Sequence, residues 1–197
     1  MSVPPLFAPG LPLVHGPDWT GRLADWCARR IPHVGLGEDG HHRFGPCWAV
    51  GVMRPGRGDD PPRLAGVVVA HDFDAIYGTI QYSVAAAKPG VARWATPEVM
   101  GAVLGVAFTG RLGAPVRKVW AMVPSTNPHV VRFNEHLGFK REAVLREQFA
   151  PRVHGVVCGM MRKEWERRYA SSKTSNMGET SGAFGSAETP TFRPTGP

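Results

Sequence analysis

One stretch, Thr79 to Phe139, limits what this chain can fold into. It reads as a strand (Thr79–Ala87), a loop (Lys88–Thr96), a helix (Pro97–Leu112), a second strand (Val116–Val123) and a short helix (Pro128–Leu137). A loop that opens a helix directly after a strand is a natural anion site. Unpaired backbone N–H groups and the positive end of the helix dipole both point there. Thr96 suits the N-cap, Pro97 the first helical position and Glu98 the first turn. Val99, Met100, Val103, Leu104, Ala107, Phe108 and Leu112 form the apolar face, and Gly113 ends the helix. Gly101 and Gly105 lower helix propensity and let another backbone come close.

The second strand ends in Ser125-Thr-Asn127-Pro128, and the short helix that follows presents Val130, Val131, Phe133 and Leu137. Gly138 is placed to end it in the left-handed conformation. Parallel strands that splay apart here leave a cleft beside Asn127. Its amide either donates to a ligand or caps the helix, and capping is the plainer reading.

Around this stretch the expectations are simpler. Residues 1–17 form a proline-rich arm with an edge strand near Leu11–Val14. A helix runs from Asp18, its expected cap, to about Arg30, with Trp19, Leu23, Trp26, Cys27 and Arg30 at three- and four-residue spacing and Pro32 beyond its end. After a polar loop from Gly35 to Gly45, strands are expected at Cys47–Met53 and Leu64–Phe73, then at Phe139–Leu145 and His154–Arg162. The domain spans 18–169. The Ser/Thr/Gly/Pro composition of 170–197 predicts a disordered tail, with Phe184 and Phe192 as candidate short anchors.

Composition excludes several classes. No apolar run is long enough to span a membrane. The first residues lack the basic flank and apolar core of a signal peptide. Three cysteines make no disulfide framework and no metal-ligand spacing, which suits a reduced, cytoplasmic setting. The net charge is +7, with 18 arginines against 5 lysines. That charge suits an anionic partner, either nucleic acid or a phosphorylated cofactor, but the arginines are scattered, which reads as a generally basic solvated surface rather than a dedicated nucleic-acid one. His41-His42 has no third ligand in its loop for a metal.

The order strand, phosphate loop, amphipathic helix, strand, then Asn127-Pro-His-Val-Val-Arg-Phe133-Asn-Glu-His-Leu-Gly138-Phe139, resembles the GNAT superfamily of N-acetyltransferases. Trp94-Ala-Thr96 resembles its ribosomal-protein acetyltransferase-like branch. Phe44-Gly-Pro-Cys47, Gly66-Val-Val-Val-Ala-His-Asp72 and Arg93-Trp94 are similar to small phage- and prophage-encoded members. The resemblance implies an α/β (α+β) fold: a mixed, mostly antiparallel sheet flanked by helices, with a V-shaped cleft between two central strands. It implies acetyl-CoA in that cleft. The backbone of Val84 and Ala85 would pair with the pantetheine amides. The N–H groups of Ala92, Arg93, Trp94, Ala95 and Thr96 would hold the pyrophosphate, Asn127 would touch the pantetheine arm and Phe133 would line the floor.

The chain departs from the superfamily in three places. Its two loop glycine positions fall on Val91 and Arg93, so Arg93 either supplies a charged contact to phosphate, blocks the site or is an ordinary surface arginine. Asn134 stands where many members carry a tyrosine that protonates the departing thiolate, and an amide cannot do so near neutral pH. Val130 replaces a small residue. As a general base, His71 or Asp72 stands at a strand end near the expected acceptor entrance; the alternative is a turn-capping pair. Of Tyr82 and Ser83, one must face the core. Cys158 packs in a strand rather than attacking a thioester.

Two functions follow. One is an acyl-CoA-dependent N-acyltransferase, with direct attack by an amine of a small molecule, a protein N-terminus or a lysine. The other is a binding or structural protein that keeps the fold without the chemistry, such as a phage particle component or a binder of a host protein.

Overall fold

The computed structural model describes residues 12–55, 61–88 and 94–170. Its centre is a seven-stranded sheet in the order β1-β2-β3-β4-β5-β7-β6. The strands are β1 (Leu13–His15), β2 (Cys47–Arg54), β3 (Arg63–Asp74), β4 (Thr79–Ala86), β5 (Lys118–Pro124), β6 (Lys140–Ala150) and β7 (Val153–Met161). Every neighbouring pair is antiparallel except β4 and β5, which are parallel. The expected mixed, mostly antiparallel sheet is therefore present.

Helices cover both faces. On one lies α1 (Pro17–Ala28), which buries Leu23, Ala24, Cys27 and Ala28 against Ala49, Val67, Val69 and Ala85 of the strands. On the other lie α2 (Pro97–Phe108) and α3 (Pro128–Leu137), packed on Val50, Val68, Tyr82, Val119 and Met160. In α2, Met100, Leu104 and Phe108 are fully buried, each worth roughly 1.5–3 kcal/mol of transfer free energy.

Several boundaries differ from the sequence reading for identifiable reasons. Gly16, not Asp18, is the N-cap of α1, with Pro17 as its first residue and Asp18 in the first turn. Trp19 points outward, beneath the Arg22 guanidinium 5.1 Å away. Helix α2 closes a turn early, at Phe108, because Gly110 takes a positive φ of 79° before Gly113 is reached. The short helix runs over Pro128–Leu137 as expected, closed by Gly138 at φ 98°.

The last strand, expected over His154–Arg162, is β7, Val153–Met161. The chain then turns at α4 (Arg162–Trp165) and a π turn, Glu166–Ala170, where no element was expected. This segment docks on α2. Tyr169 lies over Gly101, Trp165 lies over Gly105, and the Trp165 indole N–H donates to the Gly101 carbonyl (3.0 Å). A Cβ at either glycine would meet these rings at 2.9 and 2.8 Å. The two glycines thus admit aromatic rings where a second backbone was expected.

Candidate active site

The parallel pair is short. Thr79, Ile80 and Gln81 match Lys118, Val119 and Trp120, and there the pairing stops. Beyond it β4 and β5 part, leaving a cleft of about 1390 Å³ lined by both strands, by the first turns of α3, by the segment after α1 and by the β6–β7 turn.

The edge of β4 that faces the cleft follows from register. The Ala87 N–H donates to the Ala65 carbonyl (2.9 Å). Bonded pairs in an antiparallel ladder recur at every second residue. Ala85 and Ser83 therefore bond across to Val67 and Val69 in β3. The N–H and C=O of Val84 and Ala86 turn the other way, into the cleft. Of the two residues expected to present their backbone there, Val84 does so; Ala85 has its backbone in the ladder, and Ala86 takes its place.

Side chains alternate in the complementary sense. Tyr82 is buried under α2 and donates its hydroxyl to the Val103 carbonyl (3.2 Å); burial pushes its phenol well above the ordinary range. Ser83 faces the α1 side and lines the cleft. Its Oγ lies 2.9 Å from His71 Nε2, and His71 Nδ1 lies 3.0 Å from Asp72 Oδ2. His71 is 6% exposed and lies tilted against Phe44, with 4.8 Å between ring centroids. Asp72 holds a positive φ of 50°. Burial lowers the His71 pKa, and Asp72 opposes that shift by charge and hydrogen bond. With Nδ1–H donated to the carboxylate, Nε2 is left as an acceptor for the serine hydroxyl.

The opposite end of the cleft lies by α2 and α3. Thr96 caps α2 through its Oγ1, which accepts from the Val99 N–H (3.3 Å). The Trp94 indole lies so close to Gly66 that a Cβ there would fall 2.4 Å from Cε2. Its ring N–H is buried with no partner among the described residues. Ala95 is half-buried beside it. Asn127 occupies the N-cap position of α3, but its side chain makes no capping bond. The plainer reading of that residue is thus set aside, and Asn127 is exposed and lines the cleft. Phe133 and Val130 are half-buried walls, and the buried Asn134 amide meets the Cys158 thiol. Val91, Ala92 and Arg93 lie outside the described residues.

Sequence reasoning missed three parts of this arrangement. Ser83 was left undecided between core and cleft. Arg29 and Arg30, just past α1, line the cleft. His33 and Phe149 meet across its α1 end, with ring centroids 4.4 Å apart. His41 and His42 both serve Asp25: His41 Nδ1 lies 3.2 Å from Oδ2, and the His42 backbone N–H donates to Oδ1 at 2.8 Å.

A sheet whose one parallel pair opens into a V, with α1 on one face and α2 and α3 on the other, is the GNAT fold. Solved structures that share it include spermidine N-acetyltransferases of Vibrio cholerae. Mutant forms of the spermidine/spermine enzyme match at TM-score 0.51 and 17% identity, over 64% of this chain and 73% of theirs. The complex with CoA and spermine matches at TM-score 0.50 and 17% identity, over 60% and 68%. A dodecameric form matches at TM-score 0.51 and 18% identity, over 62% and 68%. At such identity the likeness is one of fold. No protein-family model matches the sequence, and no curated protein sequence matches it.

Proposed function

We propose that the protein is an N-acyltransferase that moves an acetyl group from acetyl-CoA to an amine. The observation that carries this reading is the parting of β4 and β5 beyond Gln81, with Ser83 on the cleft wall and His71 and Asp72 hydrogen-bonded in line behind it.

The residues present fit the cofactor. Val84 and Ala86 offer strand-type donors and acceptors to the amides of a pantetheine arm. The unpartnered Trp94 N–H and the Asn127 amide supply two side-chain donors on the same path. Phe133 and Val130 supply apolar walls. The turn before Thr96, with the α2 dipole behind it, suits the pyrophosphate, and Ala92, Arg93, Trp94 and Ala95 are assigned there by resemblance. The cofactor contributes a thioester carbonyl open to attack.

Ser83 receives the proton that the attacking amine sheds, and passes its own hydroxyl proton to His71 Nε2. Asp72 holds the imidazole in the tautomer that accepts it. The N–C bond forms as the C–S bond breaks, and the leaving thiolate takes a proton from water, since Asn134 has none to give. Positioning by the strand edge supplies most of the remaining acceleration. A cytoplasmic setting accords with three free cysteines, and the likeness to phage-encoded members rests on sequence pattern alone.

Titration calorimetry with acetyl-CoA tests the reading. Saturable binding with a matching rise in Tm is expected. An absence of heat and of stabilisation at millimolar acetyl-CoA overturns it.

A further inference from the structure

The cleft crosses the sheet. On the α2 face it meets Trp94 and Asn127, the end assigned to the cofactor. On the α1 face it meets Ser83, Arg29, Arg30, His33 and Phe149. That second end is where an acceptor must approach the Ser83 hydroxyl.

Its charge is one-sided. Among the described residues, no aspartate or glutamate lines the cleft. The Arg30 guanidinium is fixed over the Trp26 ring, 3.7 Å from its centroid, and donates to the Trp26 carbonyl (3.2 Å). Neither it nor Arg29 forms an ion pair with a carboxylate among the described residues. Nearby carboxylates are engaged elsewhere. Asp25 holds His41 and the His42 backbone, Asp72 holds His71, and Glu147 accepts from the Arg152 N–H (3.0 Å). Two exposed guanidiniums beside the cleft, without a carboxylate partner among the described residues, repel a polycation and attract an anion. The His33–Phe149 contact narrows the same mouth, which favours a slender acceptor.

We infer that the acceptor is an amine that itself carries an anionic group, carboxylate or phosphate. Arg29 and Arg30 hold that group while the nitrogen reaches Ser83. This rests on the transferase reading and departs from the polyamine bound in the solved neighbour.

The test measures CoA thiol release from acetyl-CoA with matched amines: phosphoethanolamine against ethanolamine, β-alanine against β-alaninamide, and spermine. The anionic member of at least one pair should show kcat/KM about tenfold or more above its neutral partner and above spermine. The pair that responds tells phosphate from carboxylate. In Arg29→Gln/Arg30→Gln that preference should vanish with acetyl-CoA affinity unchanged. Equal or better turnover of spermine or of the neutral amines overturns the inference. So does loss of acetyl-CoA affinity in the double variant, which would give the arginines to the cofactor. If acetyl-CoA binds and no anionic amine is turned over, the acceptor assignment alone falls; if acetyl-CoA does not bind, the transferase reading falls with it.

Discussion

Ser83 Oγ and His71 Nε2 stand 2.9 Å apart on neighbouring strands, one at the cleft and the other buried beneath it. His71 does not line the cleft, and its hydrogen bond to Ser83 is what joins it to that space. Ser83→Ala cuts that path while removing one oxygen. We expect kcat to fall by about 10²–10⁴-fold, with acetyl-CoA affinity and Tm near the parent values. Single-turnover kinetics beside calorimetry separates the two; a parental kcat removes Ser83 and His71 from the proton path.

The pH dependence follows from the burial of His71. Its pKa lies below the ordinary imidazole value, with desolvation as the main cause. The neutral base therefore persists to lower pH, and the acidic limb of kcat/KM should fall below about pH 6.5. Asp72→Asn removes the opposing influence and should move that limb further down. Stability has its own sign. The unfolded chain takes up a proton near the ordinary value while folded His71, and likewise His15 and His33, resist it. The contribution is present above about pH 6.5 and is lost as pH falls through the folded values. Urea titrations at several pH values check this.

Adjacent alanines in β4 have opposite backbone duties, and proline reads them out. Ala85→Pro deletes an N–H that bonds β3 and should lower stability by about 1–3 kcal/mol, the cost of the carbonyl left unpaired in the ladder. Ala86→Pro deletes an N–H facing the cleft, as on an edge strand, and should cost less stability. It should weaken acetyl-CoA binding. Equal loss of stability in the two variants would contradict the register argument.

The aromatic clasp on α2 is equally testable. Gly101→Val and Gly105→Val place methyls where Tyr169 and Trp165 now lie. Overpacking of this kind costs about 1–3 kcal/mol. Denaturant unfolding should show that loss in each, and a change below about 0.5 kcal/mol in both would mean the C-terminal segment moves aside freely.

The sequence made legible what is local. Pro128–Leu137 was bounded by Asn-Pro before it and Gly138 after it, and the strands alternate or run apolar as their faces demand. What it concealed depends on register and on partners distant in the chain. Ser83 meets His71 only because β3 and β4 pair Val69 with Ser83 and His71 with Gln81, placing the two side chains diagonally on one face. The helical turn at Arg162–Trp165 is too short to show a period, and its reason for existing lies in the Gly101 and Gly105 notches. Trp19 matched the apolar spacing of α1, yet a helix end has room for an aromatic lying under an arginine. The outer strand β6 is exposed on both faces, so its pattern carried little of the core; Lys140, Arg141, Glu142 and Arg146 guard it instead.

The parting of β4 and β5 gives this sheet edges in its interior as well as at its rims. An unsatisfied strand edge on a surface invites a foreign strand and, with it, aggregation. Here the two bare edges face one another inside the molecule, too far apart to pair and roofed at the α1 end by His33 and Phe149. The protein carries the adhesive property of an open strand where only a narrow, extended molecule can reach it. Opening that roof, by replacing Phe149 with a small residue, would expose the central strands to other copies of the chain before it disturbed the core.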